Sequence, residues 1–202
     1  MNPVFFGGIT FTGATRTSIY VKPSAFGRVE FQDCLWYNNH GLSGALYIQP
    51  FPDSGGTGVL IKRCEFRDNA ANCGPVYVHK LQPVRLTVEE SLFLRNNATG
   101  LADDNFCAAA IHNSRSSSRL WLSNSCFIDN VSTGPSLVHV NDEAAAVQRN
   151  VNNYATRNAV GLAPYWNQYS NVAVCPNSIY VDEFFIVDSW CKPFDGKRCS
   201  VG

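Results

Sequence analysis

The sequence predicts an all-β solenoid of about six stacked coils, a single domain over residues 1–202 stapled by disulfides. Three observations predict it. Two short motifs recur in phase roughly every 30 residues, an alternating apolar stretch precedes each recurrence, and eight cysteines stand in a chain poor in charge.

The first motif occurs as Cys34-Leu-Trp-Tyr-Asn-Asn39, Cys64-Glu-Phe-Arg-Asp-Asn69, Ser91-Leu-Phe-Leu-Arg-Asn96 and Ser125-Cys-Phe-Ile-Asp-Asn130. Each copy sets an aromatic three residues before an Asn: Trp36 and Asn39, Phe66 and Asn69, Phe93 and Asn96, Phe127 and Asn130. Upstream lie Val29-Glu-Phe31, Val59-Leu-Ile61, Leu86-Thr-Val88 and Leu120-Trp-Leu122, whose period of two marks half-buried strands. The second motif is Gly44-Ala-Leu-Tyr-Ile48, Gly74-Pro-Val-Tyr-Val78, Ala108-Ala-Ala-Ile-His112 and Gly134-Pro-Ser-Leu-Val138, echoed by Ser18-Ile-Tyr-Val21 and Ser178-Ile-Tyr-Val181. On this pattern residues 1–28 are an N-terminal strand or cap region and 29–140 the clear repeats. Residues 141–190 are degenerate coils, and 191–202 a disulfide-tied C-terminal cap.

A repeat of this length cannot close a core alone, so it winds one coil and stacks on the next. Equivalent residues then lie about 4.8 Å apart. That places Trp36, Phe66, Phe93 and Phe127 in an aromatic stack and Asn39, Asn69, Asn96 and Asn130 in a ladder. Asn suits a corner because it tolerates the left-handed region and can hydrogen-bond along the stack. A β-sandwich would not repeat two motifs in phase.

Composition narrows the partners. Sixteen basic and 16 acidic residues leave no net charge, which removes the electrostatic reason to expect nucleic acid. Charged residues are 16% of the chain, against about 25% in ordinary domains. No window approaches the roughly 20 apolar residues of a membrane helix, so no membrane span is expected. Met1-Asn-Pro-Val-Phe-Phe6 lacks the basic and long apolar regions of a signal peptide, so the chain reads as a mature form or a piece of a longer one. The cysteines show no C-x-x-C spacing, which points to disulfides rather than zinc and to an extracellular or cell-surface location. Asn97-Ala-Thr99 and Asn130-Val-Ser132 are candidate glycosylation sequons.

Phe66-Arg-Asp-Asn69, Phe93-Leu-Arg-Asn96 and Phe127-Ile-Asp-Asn130 match F-x-x-N, and Ser43-Gly-Ala-Leu46 nearly matches G-G-A-[I/L/V]. Over about residues 29–140 the chain thereby resembles the chlamydial polymorphic outer-membrane protein repeat, within the right-handed parallel β-helix (pectin-lyase-like) group. Later copies of the second motif depart from the pattern. The resemblance implies a single-stranded right-handed parallel β-helix and the company of surface-exposed adhesins and passenger domains. Both motifs are structural and carry no chemistry.

Stacking has consequences for the cysteines. Cys34 and Cys64 share one slot in adjacent repeats, as do Cys73 and Cys107. The expected inter-coil separation lies inside the roughly 4.4–6.8 Å window for a disulfide. Cys34–Cys64 and Cys73–Cys107 are the expected pairs. An unbonded inward stack is the alternative for the first, since parallel Cβ vectors sit slightly too far apart. Cys191 and Cys199 would close a terminal loop, leaving Cys126 with Cys175.

No catalytic constellation emerges, and neither metal nor cofactor is expected. A polygalacturonase-like site would carry Asn-Thr-Asp, Asp-Asp, Gly-His-Gly and Arg-x-Lys, and Asp103-Asp104 alone has a match. The other acidic residues, Asp68, Glu89, Glu90, Asp129, Asp142 and Glu143, are scattered, and strand alternation would turn Glu89 and Glu90 to opposite faces. His79 and His139 share a repeat slot two coils apart, while His40 falls in a turn and His112 on a strand. The expected function is a non-enzymatic structural protein, self-associating head to tail through the apolar stretch Val4–Phe11 as a glycosylated filament. A second reading is an adhesin that binds surface glycans on Trp121, Tyr165, Trp166 or Trp190. The least favoured is an enzyme around Asp103, Asp104 and Glu89.

Overall fold

The structure is a computed structural model describing residues 3–22, 27–41, 44–49, 58–79, 84–99, 107–113, 119–133, 136–140, 147–151, 153–160 and 178–179. Every regular element among them is a strand. In chain order they are β1 (Val4–Gly7), β2 (Thr10–Thr12) and β3 (Ile19–Val21), then β4 (Arg28–Gln32), β5 (Leu35–Tyr37), β6 (His40–Gly41) and β7 (Leu46–Ile48). The same sequence of lengths returns in β8 (Gly58–Lys62), β9 (Glu65–Arg67), β10 (Ala70–Ala71) and β11 (Val76–Val78). It returns again in β12 (Arg85–Glu89), β13 (Leu92–Leu94), β14 (Asn97–Ala98) and β15 (Ala108–Asn113). There follow β16 (Arg119–Ser123), β17 (Cys126–Ile128), β18 (Val131–Ser132) and β19 (Ser136–Val140), then β20 (Val147–Val151), β21 (Tyr154–Thr156), β22 (Ala159–Val160) and β23 (Ser178–Ile179).

Neighbours within a sheet are about four strands apart in the chain. The long-strand sheet runs β1-β4-β8-β12-β16-β20, and the aromatic sheet β2-β5-β9-β13-β17-β21. A small sheet runs β6-β10-β14-β18-β22, and the fourth β3-β7-β11-β15-β19-β23. All these pairings are parallel except β19 with β23. The arrangement is compatible with a parallel β-helix or a similar solenoid. No helix among the described residues is long and apolar enough to cross a membrane.

Inward positions form rows. Trp36, Phe66, Phe93 and Phe127 are fully buried, and successive rings stack at 4.5, 4.9 and 4.8 Å with interplanar angles of 7°. Phe11 extends this row onto Trp36 at 4.9 Å, and Phe6 stacks on Phe31 at 5.0 Å. Val29, Val59, Leu86 and Leu120, with Phe31, Ile61, Val88 and Leu122, line the long-strand sheet. The small sheet lies against a crowded corner: a Cβ on Gly41 would meet the carbonyl oxygens of Arg16 and Gly44, each at 2.8 Å.

Three sequence readings are corrected. Cys34 and Cys64 are thiols rather than a disulfide. Each donates its S–H to the carbonyl two residues earlier, Gln32 at 3.3 Å and Lys62 at 3.3 Å, and lies near a carbonyl of the preceding circuit. In-register parallel strands keep the Cβ vectors side by side, and the carbonyls offer the sulfurs nearer partners. The fourth sheet is also in a different register. Val76 pairs with Ile111 and Ile111 with Val138, so His139 aligns with His112 and Tyr77, not with His79. The shift is taken up by an irregularity between Ala108 and Ile111. Finally, Ser178-Ile179 adds to β19 antiparallel, so it is not a further parallel rung. The expected cap 191–202, with Cys191 and Cys199, lies outside the described residues.

Candidate functional site

Two corners frame the aromatic row, and each is set by a residue in the left-handed region. Asp33, Arg63, Glu90 and Asn124 have φ of 54°, 50°, 52° and 50°, directly before Cys34, Cys64, Ser91 and Ser125. Asn38, Asp68, Arg95, Asp129 and Arg157, at 54°, 54°, 48°, 54° and 53°, precede Asn39, Asn69, Asn96, Asn130 and Asn158. The reversal at each corner turns the following side chain inward.

At the second corner the carboxamides form a continuous chain. Asn39 Nδ2 donates to Asn69 Oδ1, Asn69 to Asn96, Asn96 to Asn130 and Asn130 to Asn158, at 2.9, 3.0, 2.9 and 2.9 Å. The other hydrogen of each Nδ2 goes to the carbonyl of an aromatic-row residue, as from Asn69 to Trp36 O at 3.0 Å and from Asn96 to Phe66 O at 2.9 Å. Each Oδ1 also accepts a backbone N–H, so all four hydrogen-bonding positions of the inner carboxamides are used. The first corner carries a second ladder. Cys64 N donates to Ser91 Oγ, Ser91 N to Ser125 Oγ and Ser125 N to Asn153 Oδ1. Sequence reasoning missed Asn153 and Asn158 because Ala155 stands where their repeat needs an aromatic. The five-residue interval between corners, constant from Cys34–Asn39 to Asn153–Asn158, would have found them.

This ladder corrects one sequon. Asn130 is fully buried and its Nδ2, the atom a glycan would occupy, is bonded to Phe93 O and Asn158 Oδ1. Asn97, in contrast, is exposed on β14. Cys73 and Cys107 form a disulfide across adjacent repeats, with Cα atoms 4.5 Å apart. Disulfides form and persist in oxidising compartments. Cys126 is disulfide-bonded as well, while its expected partner Cys175 lies outside the described residues.

Outside the corners, unlike charges alternate along the stack. Arg63 grips Asp33 through two contacts of 2.9 Å, Arg95 grips Asp68 at 2.6 and 2.8 Å, and Arg157 grips Asp129 at 2.7 and 2.8 Å. Hydrogen bonding to Arg157 holds the Asp129 carboxyl below the ordinary range, and the bonds to Asp33 and Asp68 raise Arg63 and Arg95. On the fourth sheet Tyr20, Tyr47, Tyr77 and His112 form an outward aromatic row with centroid spacings of 5.0, 5.3 and 5.3 Å. Burial, followed by repulsion from Tyr77 and Tyr20, pushes the Tyr47 phenol up to about 12.

An open groove of about 560 Å³ lies on the outer face of β4, β8, β12 and β16. Arg28, Lys62 and Arg85 line it with Glu30, Glu89 and Trp121. Arg28 pairs with Glu30 at 2.8 Å, and Lys62 Nζ lies 3.6 Å from both Glu89 and Glu90. The two carboxylates thus converge, contrary to the strand-alternation reading, because the positive φ at Glu90 takes it off the strand. The Arg85 guanidinium sits 5.0 Å over the Trp121 ring. No group of three or more His, Cys, Asp or Glu among the described residues could hold a metal ion. His40 is exposed and contacts Asn38 Oδ1 at 2.9 Å, while buried His112 stacks on Tyr77. Asp103, Asp104, Asp142, Glu143, Tyr165, Trp166 and Trp190 lie outside the described residues. The chain matches no protein-family profile, no curated protein and no solved structure.

Proposed function

We propose that the chain is a non-enzymatic structural protein of the cell surface or extracellular space. In this reading it is a right-handed parallel β-helix of about six coils whose first circuit is a docking edge for a second copy. One observation carries the reading. β1, β2 and β3 are the outermost strands of their sheets at the same end of the stack. Their surroundings are apolar: Val4 and Phe5 are 55% and 57% exposed, and Phe6 and Phe11 are the terminal rings of two stacks. An open strand edge is a template for a further strand, and head-to-tail addition does not close. The buried rows of like residues support a load-bearing scaffold rather than a reaction centre. Exposed Asn97 is the position proposed for a glycan.

Natural sheets block such edges with lysine. The test is electron microscopy and sedimentation of the wild-type chain and of a double variant, Val4→Lys with Phe5→Lys, over a concentration series. Linear oligomers that lengthen with concentration and vanish in the variant are expected. A wild type that stays monomeric throughout, or assembly equal in both proteins, overturns the proposal.

A further inference from the structure

Tyrosine recurs at one outward position of three successive strands in the fourth sheet. Tyr20 pairs in register with Tyr47, and Tyr47 with Tyr77. In-register parallel strands give the three side chains one direction, so neighbouring hydroxyls and the ring carbons ortho to them stand side by side. The centroids are 5.0 Å apart from Tyr20 to Tyr47 and 5.3 Å from Tyr47 to Tyr77, with interplanar angles of 38° and 34°. Two rings joined by a carbon–carbon bond have their centroids only slightly closer.

The row does not leave its members equally free. Tyr77 is stacked on His112 at 5.3 Å and 14°, and the His79 ring stands edge-on to it at 6.3 Å. Tyr47 is flanked on both sides, by Tyr20 and Tyr77. Tyr20 ends the row on the outermost strand of its sheet and is 47% exposed. Its ring has room to slide from the stack to the edge-to-edge approach that a bond between ring carbons needs, and solvent-borne reagents reach it.

The first circuit is also where a covalent tie has most to hold. β1, β2 and β3 each end a sheet, and terminal elements open before central ones. The Cys73–Cys107 bond ties the chain ahead of β11 to the chain ahead of β15, whereas Cys34 and Cys64, nearer the first circuit, are thiols.

We propose that Tyr20 and Tyr47 are a cross-linking site, joined as dityrosine by a haem peroxidase with hydrogen peroxide, which staples the first circuit to the second. Each phenol loses one electron and its hydroxyl proton. The two radicals join through the carbons ortho to oxygen, and the hydrogens on those carbons shift to the oxygens, restoring both phenols. The two electrons and two protons released convert one hydrogen peroxide into two waters. The staple lies within one chain, so it can fail while docking of a second copy stands, and the reverse.

The dilute full-length chain would be treated with a haem peroxidase and limiting hydrogen peroxide. Dityrosine fluorescence, intact mass, melting temperature and, after reduction, tryptic peptides would then be measured. A monomer lighter by two hydrogens, with a higher melting temperature, is expected. The joined peptides should be those released by cleavage at Arg16, Arg28 and Lys62, the first holding Tyr20 and the second Tyr47. Tyr20→Phe and Tyr47→Phe, which keep a stacked ring, should each lower the yield of this species at least tenfold, and Tyr77→Phe should leave it unchanged. The Tyr47→Phe variant distinguishes Tyr47 from Tyr37, which shares its peptide. Absence of dityrosine in the wild type, a link between other tyrosines or between two copies, or an equal yield from Tyr20→Phe overturns the proposal.

Discussion

A buried Asn with every donor and acceptor engaged is a different object from an Asn in a turn. Asn69 bonds Trp36 O and Asn96 Oδ1 through Nδ2, while its Oδ1 takes Asn39 N and Nδ2. Asn69→Ala strands partners on both sides in a core that excludes water, and should cost at least about 3 kcal/mol of unfolding free energy in a denaturant titration. Asn130→Ala should behave alike. Trp36 is the contrasting case, because its Nε1 is buried with no hydrogen-bond partner among the described residues and its row-mates are Phe. Trp36→Phe removes that unsatisfied donor along with some packing, so the midpoint should move by no more than about 1 kcal/mol. The sequence made this row legible because burial and repetition act on the same positions. It hid Phe11 and Asn158, which occupy the rows without the full motif around them.

At the scale of the element, the cysteines separate two kinds of coupling. The Cys73–Cys107 bond spans 34 residues, and its loss in a Cys73→Ser, Cys107→Ser variant should remove about 3–4 kcal/mol through the entropy of the unfolded chain. Cys34→Ser and Cys64→Ser should be tolerated, since a hydroxyl already fills that ladder slot at Ser91 and Ser125. Alkylation in denaturant without reductant should label Cys34 and Cys64 and spare Cys73 and Cys107. Spacing alone could not tell the pairs apart, because both occupy equivalent slots in adjacent repeats. What differs is the setting: the Cys34 and Cys64 sulfurs lie against the carbonyls two residues earlier, as the Ser91 and Ser125 hydroxyls do.

The corner charges and the tyrosine row give the elements opposite pH responses. Asp129 has a lowered folded pKa, so its contribution is complete above the ordinary carboxylate range and is lost as pH falls through the lowered value. Tyr47 has a raised folded pKa, so folding loses stability as pH climbs from about 10 to about 12. Phenolate absorbance followed during alkaline titration should include a late-titrating component that Tyr47→Phe removes.

Over the whole molecule, the repeats specify that strands stack, and the interior rows specify the register. Chain direction at the far end was not legible, since Ser178-Ile179 has the composition of a second-motif strand but pairs antiparallel. The outer-face row was legible in outline, since Arg28, Gly58, Arg85 and Arg119 each stand directly before the alternating stretches that the repeats align, and the pairing keeps that register; the packing of Arg85 on Trp121 was not.

The carboxamide chain also has a direction. Every link from Asn39 to Asn158 runs the same way, with the donor on the earlier residue and the acceptor on the later one. Aligned amide dipoles sum, as they do along a helix axis. The stack is therefore electrically polar along its axis, negative toward the first circuit, where Asn39 Oδ1 accepts Ala14 N, and positive toward Asn158. Two such rods attract when the positive end of one meets the negative end of the other and repel end for end, so a chain of them would carry one polarity throughout its length.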